Sequence, residues 1–200
     1  MRSWNATKTK ILPNLKQTIA RYPEYELVLT GHSLSGAIAG LAALDLRASG
    51  WNLKITTFGE PRFGNAALAR FVDDMFASND SVGDYRRVTH INDPVPFLPP
   101  KEWKWKQHAG EVYISKSGLP PSIADLRLCE GSEDPDCLQG ADHLSSDFGD
   151  LATMVAQKSE EASELFSLTS LGIPTRWQIW QLLFAHRQYF WRLGLCFDPQ

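Results

Sequence analysis

Between residues 6 and 22 apolar side chains recur at helical intervals, Ile11, Leu15, Ile19 and Tyr22, with Lys8, Lys10, Lys16 and Arg21 among the polar positions. The spacing predicts an amphipathic helix with Pro13 as a kink point, since proline removes an N–H and crowds the preceding turn. After a turn at Pro23 the pattern changes. Tyr25-Glu26-Leu27-Val28-Leu29-Thr30 is too short for a helix and apolar enough for a buried strand. Small residues and leucines then run through 34–48 up to Gly50, which predicts a helix with a glycine stop. The alternation continues with a strand over 53–58, a helix over 66–76 and a strand over 85–91. Strands alternating with helices imply parallel βαβ units, with the sheet covered on both faces. Beyond Pro100 one more strand is expected over 111–115, then a loop over 120–150, then helices over about 148–168 and 175–190. No repeat or second-domain boundary interrupts the pattern, so residues 1–200 read as one domain.

Composition narrows the function. The chain is 200 residues long, 43% hydrophobic and 22% charged, the mixture of a packed globule. Its longest nearly apolar run, Ala37 to Leu44, is far short of the roughly 20 residues that cross a bilayer. A net charge of −3 and no large basic patch argue against nucleic acid as a partner. The opening residues Met1-Arg2-Ser3-Trp4-Asn5 lack the apolar core of a secretory signal.

Three cysteines, Cys129, Cys137 and Cys196, lack CxxC spacing, so no structural zinc site is expected. Cys129 and Cys137 flank a short, turn-rich loop and are expected to close a disulfide ring, leaving Cys196 odd. The acidic stretch around that loop reads as a solvated surface segment; it lacks the EF-hand spacing, and no metal or cofactor is expected.

The strongest chemical signal is Gly31-His32-Ser33-Leu34-Ser35-Gly36, which falls where a predicted strand meets a predicted helix, the setting of a nucleophile elbow. A serine there has strained backbone geometry and sits near the helix N-terminus, whose dipole favours a developing anion. Ser33 is therefore the candidate nucleophile, and the backbone N–H of Leu34 a candidate oxyanion donor. Ser35 replaces the second glycine of GxSxG and should put a side chain where strand and helix pass closely. A serine nucleophile needs an acid and then a histidine downstream. Asp93 follows a predicted strand, and Pro94 pushes it out of helical geometry toward the strand's C-terminal end, where catalytic groups collect in such sheets. Asp45, Asp73 and Asp74 lie on predicted helices and read as surface charges. His32 is local to the elbow, and His90 and His108 precede or crowd the acid, which leaves His143 and His186 as bases.

Four segments, YPEYELVLTGHSLSGAIAGLAAL at 22–44, ITTFGEPRFGN at 55–65, VTHINDPVPFLPP at 88–100 and AHRQYFWRLGLC at 185–196, together resemble the fungal class 3 lipases. That family includes secreted triacylglycerol lipases and feruloyl esterases. The resemblance implies an α/β-hydrolase-type three-layer fold and an extracellular location. It also implies a serine ester hydrolase acting on lipid esters through an acyl-enzyme, or alternatively on feruloyl esters. Ser33 would be the nucleophile, Asp93 the acid and His186 the base, because His186 precedes an aromatic pair and a terminal cysteine as the family's closing segment does. His143, in Asp142-His143-Leu144, is the alternative base. The three groups are expected to converge at one end of the sheet.

The resemblance also implies what lies outside this stretch. Family members carry, upstream of the elbow, a strand and loop with the second oxyanion donor, a short helical lid, and a cysteine that bridges to the terminal one. The chain starts about thirty residues before Ser33, so it reads as the C-terminal two thirds of a lipase, its N-terminal strands missing and its activity impaired. Trp177, Trp180, Leu183, Phe184, Phe190 and Trp191 are expected to pack in the core, with a lipid–water interface as the alternative use. No stable protein partner is expected.

Overall fold

A computed structural model of the chain describes residues 2–77, 83–140 and 185–192. Strands β1 (Leu27–His32), β2 (Leu53–Phe58), β3 (Tyr85–His90), β4 (Glu111–Ile114) and β5 (Leu126–Leu128) form one sheet in the order β1-β2-β3-β4-β5. The first four run parallel, and β5 pairs antiparallel with β4. Helices α1 (Arg2–Arg21), α2 (Leu34–Ala48) and α3 (Ala66–Phe76) complete the pattern.

Local chemistry sets each boundary. Helix α2 is rich in alanine and leucine, and it ends in a Schellman motif. Gly50 takes φ 85°, its N–H donates to Arg47 O at 2.9 Å, and Trp51 N–H donates to Leu46 O at 3.1 Å. Helix α3 starts at Asn65, whose Oδ1 accepts from the amides of Ala67 at 3.1 Å and Leu68 at 3.0 Å.

The three helices share one face of the sheet. Leu53 and Ile55 of β2 pack with Trp4 of α1, Ala43 and Leu46 of α2, and Val72 and Phe76 of α3. On the opposite face, Val88, Ile114 and Phe58 pack with Tyr189, so the 185–192 segment covers that side near the strand ends.

The chain departs from expectation in four places. Helix α1 begins four residues earlier than predicted, because Trp4 is buried with its Nε1 donating to Asp45 Oδ2 at 2.8 Å, while Lys8 pairs with the same carboxylate at 2.7 Å. Strand β1 runs on to His32, in register with Phe58. Part of the expected 120–150 loop is ordered as a single 3-10 turn at Ile123–Asp125, closed by a Ser122–Asp125 capping box, and as β5. The helix predicted to reach residue 190 does not extend past Ala185: residues 186–192 form a turn and a bridge between Gln188 and Arg192. The helix predicted over 148–168, along with His143, Cys196 and Trp177 to Phe184, lies outside the described residues.

Candidate active site

Because β1, β2 and β3 are parallel, their C-terminal ends lie along one edge of the sheet, and Ser33, Gly59 and Asp93 follow those ends. Ser33 has φ 60° and ψ −134°, a conformation that costs a non-glycine residue roughly 1–3 kcal/mol and persists only where its surroundings over-determine it. Those surroundings are visible. Ser33 N–H donates to Phe58 O at 2.9 Å, and Ser33 O accepts from Gly36 N–H at 2.8 Å. A Cβ on Gly31 would run into the backbone carbonyl of Ser35, and one on Gly36 would sit 3.3 Å from Glu60 Cβ. The close approach of strand and helix therefore falls on Gly31 and Gly36. Ser35, expected to crowd that contact, is exposed instead, so the missing second glycine of the motif costs no packing.

The Ser33 side chain makes no helix-capping hydrogen bond. Leu34 is the first residue of α2, and a first-turn N–H has no acceptor within its own helix. Its amide, at the positive end of the helix dipole, is thus placed to meet an anion beside Ser33. The Leu34 side chain is 68% exposed.

Asp93 is fully buried. Asn92, at φ 69°, turns the chain out of β3, and Asp93 N–H donates back to His90 O at 3.0 Å. Its carboxylate gathers three donors. Val95 N–H reaches Oδ1 at 2.9 Å, His186 Nδ1 lies 3.0 Å from both oxygens, and the Tyr189 hydroxyl donates to Oδ2. Burial first, and then the Asp93 charge, push the Tyr189 phenol well above its ordinary range, so it remains a donor. A buried carboxylate with three hydrogen bonds is satisfied as an anion, and it fixes the Nδ1–H tautomer of His186. The other ring nitrogen, His186 Nε2, is buried without a hydrogen-bond partner among the described residues.

The structure thus brings Asp93 and His186 together and stacks His32, the residue before Ser33, on the His186 ring at 4.5 Å between centroids. Ser33 Oγ and His186 Nε2 share no hydrogen bond. Two contributors had no signal of their own in the sequence. Tyr189 was visible only as half of an aromatic pair. Gly59, at φ 56°, is a position where a Cβ would lie 2.5 Å from Tyr189 Oη and 2.8 Å from both Asp93 Oδ2 and His186 Cε1.

Beneath the site lies a second polar group. Glu60 is 1% exposed, accepts from Tyr85 Oη at 2.7 Å, and has His108 Nε2 3.1 Å from its other oxygen. Burial alone would raise its carboxyl, but His108 and Arg87 hold it below the usual range. Nearby, Arg87 lies 3.7 Å from Glu111, which accepts from Thr89 at 2.6 Å.

The Cys129–Cys137 disulfide is present, with Cα atoms 6.2 Å apart. It removes both sulfurs from metal ligation, although Asp134 lies close to them. Glu133, expected to be a solvated surface charge, instead pairs with the buried Arg62 at 2.9 Å and ties the acidic loop to the body of the domain. Of the aromatic segment expected in the core, the two described members, Phe190 and Trp191, are 37% and 73% exposed, whereas Tyr189 beside them is buried.

Comparison with known proteins bears on the family and the fold. The chain is 49% identical to the secreted mono- and diacylglycerol lipase 2 of Gibberella zeae, an alignment covering 98% of this chain and 49% of the relative. It is 45% identical to lipase A of Sodiomyces alcalophilus, covering 97% of this chain and 49% of the relative. The chain therefore spans about half the length of these curated relatives, less than the two thirds expected. The crystal structure of Lip2 lipase from Yarrowia lipolytica superposes with a TM-score of 0.64 at 33% identity, over 72% of this chain and 51% of that one. The α/β-hydrolase fold of these fungal lipases is the fold described above. Residues 1–103 match the family model for lipase (class 3), and the chain belongs to that family.

Proposed function

We propose that this chain carries the catalytic constellation of a secreted serine ester hydrolase acting on acylglycerols, with Ser33 as nucleophile, His186 as base, Asp93 as orienting acid and Leu34 N–H as oxyanion donor. The observation that carries the reading is the buried Asp93–His186 pair, with contacts of 3.0 Å, whose ring packs against His32, the residue before a strained, uncapped serine. In the reaction Ser33 Oγ bonds to the acyl carbon while its proton passes to His186 Nε2. The tetrahedral oxyanion meets the Leu34 amide and the dipole of α2. Collapse breaks the acyl–oxygen bond, and His186 returns the proton to the departing alkoxide. Water then repeats the sequence, releasing the acid and restoring Ser33. Asp93 stays ionised throughout and stabilises the imidazolium.

The choice of acylglycerol over feruloyl ester rests on the relatives, one of which is named a mono- and diacylglycerol lipase. Exposed Leu34, Phe190 and Trp191, borne on the segments that carry the nucleophile and the base, suit an apolar acyl chain or a lipid–water interface. The test is hydrolysis of p-nitrophenyl butyrate and of monoacylglycerol, together with fluorophosphonate labelling. Ser33→Ala is expected to abolish labelling and to lower kcat at least about 1,000-fold. Turnover that survives Ser33→Ala, or labelling at another serine, rejects the assignment.

A further inference from the structure

Of the histidines near the elbow, His32 is the one whose ring is engaged with the base. Its Nε2 lies 2.7 Å from the backbone carbonyl oxygen of His186. A carbonyl can only accept, so Nε2 carries the proton and donates. The ring faces His186 with centroids 4.5 Å apart and planes tilted 31°, and the edge of Tyr189 meets it at 5.9 Å. These contacts join segments 154 positions apart in sequence.

From this arrangement we infer that His32 is a positioning residue for His186: by holding the base's own carbonyl and one face of its ring, it fixes the imidazole over the end of β1. The inference rests on the proposed hydrolase reading and goes further than it. Asp93 restrains the His186 ring at one nitrogen, Nδ1, shared between its two carboxylate oxygens, and restraint at one ring atom leaves the ring free to swing about that contact. The His32 bond restrains the backbone from which the ring hangs, and the stack restrains its plane. Together they leave Nε2 with one accessible direction. Because His32 is the neighbour of Ser33 in the chain, the restraint is referenced to the nucleophile, and an angstrom of misplacement between reacting groups can cost about 100-fold in rate.

The neutral form suits this role. Burial lowers the basicity of His32, and the neighbouring His186 side chain and Arg187 act in the same direction, against the carbonyl bond and the Asp93 charge. A neutral ring against His186 does not oppose the imidazolium that forms when the base takes up a proton.

Three variants separate the donor from the stack. His32→Phe keeps a ring and loses the N–H, His32→Gln keeps an N–H near the Nε2 position and loses the ring, and His32→Ala loses both. Each is assayed on p-nitrophenyl butyrate alongside the downfield proton resonance of His186 Nδ1–H and the thermal midpoint. The inference expects His32→Phe to lower kcat about 10- to 100-fold with KM nearly unchanged, and to shift or broaden the Nδ1–H resonance. His32→Gln is expected to recover most of the loss. Wild-type kcat and an unmoved resonance in His32→Phe overturn it, as does equal impairment of Phe and Gln variants that tracks a fallen thermal midpoint, the mark of plain packing. If wild type and Ser33→Ala are equally inactive yet the resonance moves in His32→Phe, the hydrolase reading fails and the positioning inference stands.

Discussion

Asp93 has more donors than a merely orienting carboxylate needs, and the surplus falls on Tyr189. His186 Nδ1 and Val95 N–H would satisfy the anion in part, and Tyr189 adds a further donor to Oδ2 from the segment that also carries the base. Its phenol is 1% exposed, so removing the hydroxyl leaves a dry gap beside a buried charge. A hydrogen bond to a charged group is worth about 1.5–3 kcal/mol, and each 1.4 kcal/mol is about tenfold in rate. Tyr189→Phe is therefore expected to lower kcat about tenfold while KM holds, because the ring still packs on Phe58 and Val88. A kcat within twofold of wild type would show that Val95 and His186 suffice. Ser33 and Asp93 were legible as residues because each has a local signature, a glycine-flanked serine at a strand–helix turn and an aspartate held extended before proline. The pairing of His186 with Asp93 spans 93 positions and has no local signature, which is why residue pattern alone left His143 open and only family resemblance favoured His186. His32 and Tyr189 act through tertiary contacts that no periodicity encodes.

At the scale of elements, hydrophobic period placed β1 to β4, α2 and α3 to within two residues at each end, since each is a strongly patterned run bounded by turn residues. β5 escaped because it is three residues long and is held by pairing with β4. The early start of α1 escaped because it depends on Trp4 finding Asp45 on another helix. One position inside α2 runs against propensity. Gly40 sits mid-helix, where alanine would ordinarily gain about 1 kcal/mol. A Cβ there would collide with the Tyr85 hydroxyl and lie 3.0 Å from the Phe63 ring. Tyr85 is not free to give way, since its hydroxyl donates to buried Glu60. Overpacking of this kind costs about 1–3 kcal/mol, and disturbing the Tyr85–Glu60 bond adds to it. The clash should win: Gly40→Ala is expected to destabilise the fold by about 1–2 kcal/mol, read from urea denaturation midpoints at constant slope. Equal or greater stability would mean that α2 can slide away from β3 at little cost.

Over the whole molecule, the buried network around Glu60 links the end of β2, β3 and the 107–111 segment. Tyr85 and His108 contact its carboxylate, Gln107 Nε2 donates to its backbone carbonyl at 3.1 Å, and Arg87 adds a nearby positive charge. Replacing one member leaves others buried and unpaired, so the network stands or falls together. Its pH response has a definite sign. The Glu60 carboxyl is held below its ordinary value of 4.5 in the folded state, so the unfolded chain binds the proton more readily. The stabilisation is fully present above about pH 4.5 and is lost as pH falls through the folded value, by up to about 1.4 kcal/mol per pH unit for one proton. Asp125 and Asp134 are shifted the same way, but they are solvent-screened and add little. The urea midpoint of the wild type is thus expected to decline as the solution is acidified from pH 5 to pH 3. Glu60→Gln keeps an acceptor for Tyr85 and removes the titrating group. It is expected to be less stable than wild type at pH 7 and to show a shallower decline across the acid range. Parallel acid profiles for the two proteins would assign the decline to surface carboxylates and leave the Glu60 network a purely steric feature of the core.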